Sequence, residues 1–247
     1  MDIVMPPEFP DAEFRAFRGA TSNFFLPLIS EENLFDPQEK RRHFEWSWQA
    51  VRYRYRSCAE CQDEFRALLA NASEEWRAGL GDEELTYMVE RCIYMFFMSG
   101  LSVFDSFAFC LYFLGHAMQP GAFPDVANPR KITPRVTAKA YSKAFAQAKI
   151  TGLLTALPNE IAFRTIDAVR NIVGHRISGR RSISASLTTL FVGTDTDWRE
   201  DTWHLPGAAG KLPFEPEMLQ RHLDDVTRLL TALASAARAF AEGQSAP

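Results

Sequence analysis

Between Cys92 and Gly115 the chain reads CIYMFFMSGLSVFDSFAFCLYFLG, a run long enough to cross a bilayer with a single ionised side chain, Asp105. Two folds accommodate such a run: a transmembrane span, or the central helix of a bundle whose other helices cover it. An aspartate at a bilayer centre costs about 2.5–3.5 kcal/mol, which the large apolar residues nearly offset, so insertion energy does not choose between them. Position on the helix favours one. At about 100° per residue Ser99, Ser102, Asp105 and Ser106 fall within about one third of the circumference. One polar seam on an otherwise buried helix fits a bundle core, and the expectation is a helical bundle with no membrane contact.

The rest of the chain supplies helices to cover it. Residues 37–72 contain no Gly or Pro after Pro37, and Asp36 stands as N-cap before that proline. A second long helix is expected over 82–118, a Pro-rich linker over 120–134, and a further helical segment over 135–157. Asn159 is the expected cap of the helix that follows. Over 215–240 Leu219, Leu223, Val226, Leu230 and Leu233 recur at helical spacing. Residues 184–203 lose that period, and turn chemistry at 193–197 admits a short β-hairpin within an irregular insertion over 184–213. Both termini read as short ragged tails. The fold class is therefore all-α, one domain over 1–247 with its bundle at about 37–242.

A chain of 247 residues that is 47% hydrophobic can bury one sizeable core. The net charge of −4 excludes a uniformly basic surface, and four cysteines without a charged-then-apolar leader point to a reduced cytoplasmic protein.

The chemistry concentrates in IDAVRNIVGHR, residues 166–176. On a helical wheel Ile166, Val169, Ile172, Val173 and Ile177 form an apolar arc, while Arg164, Asp167, Asn171 and His175 share the polar one. Asn171 and His175 are an i, i+4 pair, so the amide can fix one imidazole nitrogen. Arg170 lies about 100° from Asn171, and only its length lets it converge on the same place.

RNIVGH resembles the Arg-Asn-x-x-x-His form of the Arg-x(4–6)-His signature of HEPN domains, helical bundles many of which are metal-independent endoribonucleases. The resemblance implies Arg170 and His175 as catalytic residues, Asn171 as the orienting residue and Asp105 as an acidic contributor from an earlier helix. It also implies a homodimer with one composite cleft, RNA as substrate, and an antitoxin or defence setting, with no cofactor or metal. One position departs from the pattern: members modified by a partner nucleotidyltransferase carry a tyrosine two residues after the histidine, where this chain has Ile177.

The residues suit the reaction on their own chemistry. Cleavage without a metal needs a base for the 2′-hydroxyl proton, which an imidazole such as His175 supplies, and a fixed cation for the phosphate, which Arg170 supplies. The product would be a 2′,3′-cyclic phosphate. Arg164, Arg176, Arg180 and Arg181 are the candidate RNA-backbone contacts. The plainer alternative is that dipole complementarity alone places His175, Arg176, Arg180 and Arg181 at a helix end, in a HEPN-like module that binds RNA, nucleotide or a protein without cutting.

Two other features stand out. RRHFEWSWQAVRYRYR interleaves arginine with aromatic rings; it suits RNA contact, or a helix with Phe44, Trp48 and Tyr55 in the core and a solvated arginine face. Cys58 and Cys61 have C-x-x-C spacing, but Cys92 and Cys110 form no matching pair, so no zinc site is assigned. His43, His116, His204 and His222 have no ligand-like spacing and are read as surface or core residues.

Overall fold

The structure, a computed structural model, describes residues 4–25, 37–174, 180–185, 199–204 and 211–244. It is all-α with a small antiparallel sheet. The helices are α1 (Asp11–Phe25), α2 (Pro37–Ala70), α3 (Glu74–Arg77), α4 (Glu83–Met118), α5 (Pro134–Ala144), α6 (Lys149–Ala156), α7 (Ile161–Val173) and α8 (Met218–Gln244). Between α7 and α8 run β1 (Arg180–Ala185), β2 (Arg199–His204) and β3 (Lys211–Pro213), in the order β1-β2-β3. The chain forms two compact units, one of Met1–Arg56, Gly100–Arg164 and Asp225–Pro247, the other of Ser57–Ser99 and Thr165–Asp224. Helices α2, α4, α7 and α8 contribute a part to each.

In the first unit the core is aromatic. Phe14 and Phe17 of α1 lie 5.6 and 5.8 Å from Phe107 of α4, and Phe123 packs edge-on against Tyr112 and Tyr141 at 5.1 and 5.3 Å. Helix α5 is tied to α4 by hydroxyls as well: Tyr141 donates to the Leu111 carbonyl at 2.9 Å and Thr137 to that of Ala108 at 3.1 Å. Thr133 caps α5 by accepting from the Val136 amide at 3.2 Å, with Pro134 at the first helical position. The linker is ordered as three short 3₁₀ turns, each opening on a proline: Pro120, Pro124 and Pro129.

The second unit packs the sheet and the nearby helix ends around Phe65, Trp76, Ile93, Phe97, Val169 and Trp203, all buried. Asp82 begins α4 by accepting from the Leu85 amide at 2.9 Å, and Glu83 and Glu84 suit the positive end of the helix dipole.

Several expectations need correction. Residues 11–25 are a helix, not a ragged tail; Phe14, Phe17, Thr21 and Phe25 are buried at the spacing of one helical face. The segment expected as one helix over 135–157 breaks after Ala144, where Phe145 leaves helical backbone geometry, packs 4.9 Å from Phe240, and gives its carbonyl to the Thr151 hydroxyl at 2.7 Å. Asn159 lies inside a 3₁₀ turn, so Glu160, not Asn159, immediately precedes α7. The hairpin begins at Arg180, ahead of the expected insertion, and gains a third strand. Asp36 lies outside the described residues.

Among the described residues α4 is the helix long and apolar enough to span a bilayer, and 72% of its most apolar window is buried by protein, as a bundle core helix requires. Its seam is satisfied within each unit. Ser99 donates to the Ser57 hydroxyl at 3.1 Å in one; in the other Arg54 donates to the Ser102 carbonyl at 3.2 Å, and the buried Ser106 also donates to that carbonyl at 2.8 Å.

Two outcomes follow from the seat of Phe123. A Cβ at Gly115 would lie 2.3–2.8 Å from the Phe123 ring, so Gly115→Ala is expected to cost about 1–3 kcal/mol, read as a lower denaturation midpoint. His116 is buried and donates its Nδ1–H to the Phe123 carbonyl at 2.9 Å; burial, with help from the Lys40 charge, holds its pKa below the ordinary 6.5. The unfolded chain therefore takes up a proton below pH 6.5 that the folded chain refuses, and stability present above that pH falls as acid is added. In His116→Gln the slope of stability between about pH 7 and pH 5 is expected to flatten.

Candidate functional site

The polar side of α7 carries a hydrogen-bonded chain. Asn171 Nδ2 donates to Asp167 Oδ1 at 2.9 Å, and Arg170 Nη1 donates to Asn171 Oδ1 at 3.1 Å. The i, i+4 spacing brings Asp167 under Asn171, and the length of Arg170 closes its angular offset. An amide that accepts from arginine and donates to aspartate has only one orientation. Asp167 thus orients Asn171, and Asn171 holds one edge of the guanidinium.

The next turn is set by glycine. Gly174 donates its amide to the Arg170 carbonyl at 2.8 Å, and a Cβ there would lie 2.8 Å from that oxygen and 3.0 Å from Met98 Sδ. A side chain at this position would press on the helix's own backbone as well as on Met98 of α4. His175 and Arg176 follow immediately and lie outside the described residues.

Beside this helix end, Val173, Tyr87, Glu90, Tyr94, Met95 and Trp203 line a cavity of about 400 Å³. Tyr87 and Tyr94 are 59% and 40% exposed and Met95 is 42% exposed, which makes this the apolar, solvent-facing part of α4. Burial raises the Glu90 carboxyl above its usual range. Trp203 is buried, and its indole N–H meets no acceptor among the described residues. These residues do not stand out in the sequence, where Tyr94 and Met95 read as core within the apolar run. The available signal is the i, i+7 pair Tyr87 and Tyr94, with Glu90 and Arg91 between them on the same side.

Four further expected site residues lie among the described ones. Asp105 is exposed, not buried, and belongs to the first unit, where its charge acts on the Arg54 guanidinium. Arg164 is exposed on α7, three residues before Asp167. Arg180 opens β1. Arg181, expected to contact RNA, is held within the scaffold. Its Nε donates to both oxygens of Asp201 at 3.0 and 3.1 Å, Nη1 to the Trp76 carbonyl at 2.9 Å and Nη2 to that of Arg77 at 3.3 Å. The guanidinium also lies 4.0 Å from the Trp76 ring centre. Asp201 and Trp203 of β2 therefore serve the sheet: one holds Arg181, the other faces it directly across the β1–β2 pair. As for zinc, burial pushes the thiols of Cys58 and Cys61 upward and disfavours the thiolates that metal binding needs.

Because Arg181 and Asp201 are only 17% and 18% exposed, Asp201→Ala is expected to cost about 2–4 kcal/mol in a chemical denaturation series. An unchanged midpoint would return Arg181 to the candidate phosphate ligands. No protein-family model matches this chain, and no curated protein or solved structure matches it either.

Proposed function

We propose that this protein is a metal-independent endoribonuclease of HEPN type that cleaves RNA to a 2′,3′-cyclic phosphate. The observation that carries the reading is the Asp167–Asn171–Arg170 chain, which fixes an arginine on the polar side of α7, five residues before His175 in the sequence. In this mechanism His175 takes the 2′-hydroxyl proton, the oxygen attacks the adjacent phosphorus, and the 5′-oxygen leaves with a proton from a general acid. Arg170 bears on the non-bridging oxygens, where negative charge builds up as the phosphorus becomes five-coordinate. Asp167 and Asn171 act through Arg170 as positioning residues. The tyrosines at the adjoining cavity offer faces on which an unpaired base can stack, which suits single-stranded RNA. A homodimer with a composite cleft, a cytoplasmic setting and control by an antitoxin protein belong to the same proposal.

The test is cleavage of a mixed RNA pool in EDTA. Wild type is expected to leave 2′,3′-cyclic phosphate ends, and His175→Ala to lose about 10²–10⁴ in rate. Arg170→Ala is expected to be comparably impaired, and Tyr94→Ala to raise KM roughly tenfold with kcat retained. A folded wild type that binds RNA but leaves it intact would make the chain a non-catalytic binding module and the α7 cluster a structural network.

A further inference from the structure

A second cleft lies within the first unit, between α1 and the early part of α2, and it encloses about 680 Å³. Its walls carry Arg15 and Arg18 from α1 and Arg41, Trp48, Arg52 and Tyr53 from α2. The solvated arginine face expected for this part of α2 is thus only partly found, since Arg52 is buried.

The charges in the cleft do not balance. Four guanidiniums face two carboxylates: Arg15 Nε is 2.5 Å from Asp11, Arg52 is 3.6 Å from the same aspartate, and Arg18 is 2.9 Å from Glu45. The Arg52 side chain is only 8% exposed, so its charge is enclosed by protein. Arg41 is exposed and has no ion-pair partner among the described residues. The Trp48 ring has the Arg18 and Arg52 guanidiniums at 4.9 and 5.1 Å, and its buried N–H finds no acceptor among the described residues. Tyr53 stands at the rim, 57% exposed.

Surplus guanidiniums with one unmet N–H donor select a multiply charged acceptor anion, and their planar forks match phosphate oxygens. An exposed tyrosine beside them adds a face for an aromatic ring. The volume suits a ligand of nucleotide size. We propose that this cleft binds a nucleotide phosphate, its phosphates on Arg15, Arg18 and Arg41 above the enclosed charge of Arg52 and its base against Tyr53. The same chemistry is offered by a free nucleoside polyphosphate and by a stretch of RNA chain. The site uses none of the α7 residues, so this inference and the nuclease reading can fail separately.

The experiment is calorimetric titration of the full chain with ATP, with inorganic tripolyphosphate, and with a 2′-O-methylated oligonucleotide, which cannot be cut by 2′-hydroxyl attack. ATP is expected to bind once per chain and to be displaced by tripolyphosphate. Arg41→Glu, at an exposed position, is expected to weaken binding at least tenfold at an unchanged melting temperature, and Trp48→Phe, which removes the N–H together with part of the ring, by roughly two- to tenfold. Stronger binding of ATP than of the oligonucleotide identifies a free nucleotide as the ligand. Stronger binding of the oligonucleotide, displaced by tripolyphosphate and weakened by the same substitutions, identifies the RNA chain. Absence of binding by all three probes, or binding indifferent to Arg41→Glu, overturns the proposal.

Discussion

Helix α4 cannot stay in water uncovered, and the need to cover it organises both units. Its early part carries Val89, Ile93, Phe96 and Phe97 into the core of one unit, and its later part carries Phe104, Phe107, Leu111 and Phe113 into the other. Burial of this kind has no direction, so orientation must come from polar contacts. The Ala108 and Leu111 carbonyls accept from Thr137 and Tyr141, which sets the register of α5 on α4 where apolar packing alone would allow sliding. Gly115 then admits Phe123, and the 3₁₀ turns that follow are held by the Tyr112 hydroxyl, which accepts from the Asp125 amide at 2.9 Å.

Local rules therefore recover much of this fold from sequence. Periodicity, proline and capping locate α2, α4 and α8 to within a few residues, because their determinants lie within one or two turns. What escapes depends on partners far along the chain. Phe145 interrupts a good helical segment because Phe240 and Thr151 hold it elsewhere, and nothing near Phe145 says so. The face of α1 is legible in Phe14, Phe17 and Phe25, but a short segment near a terminus gives little reason to prefer burial until Phe107 is known to meet it.

The candidate site divides the same way. Asp167, Asn171 and Arg170 belong to one helix, and their mutual hydrogen bonds follow from i, i+4 geometry that residue spacing alone defines. Arg181 escapes for the opposite reason. A guanidinium in a sequence looks like a surface charge, and only the sheet register reveals that Asp201 and the Trp76 ring enclose it. The exposed tyrosines of α4 are hidden by their apolar neighbours, since a run of hydrophobic letters does not show which side of the helix is left uncovered.

The contacts of Arg181 also bear on the order in which the chain folds. Helix α3 is a single turn, too short to persist by its own hydrogen bonds, and its last carbonyls are taken by an arginine 105 and 104 residues away in sequence. The Ser73 cap can bias that turn early, but its stabilising guanidinium arrives only after β1 and β2 have paired and closed a long loop. The α3 turn is accordingly expected to form late and to be among the first to open. Amide exchange there would report the integrity of the sheet more directly than that of any helix.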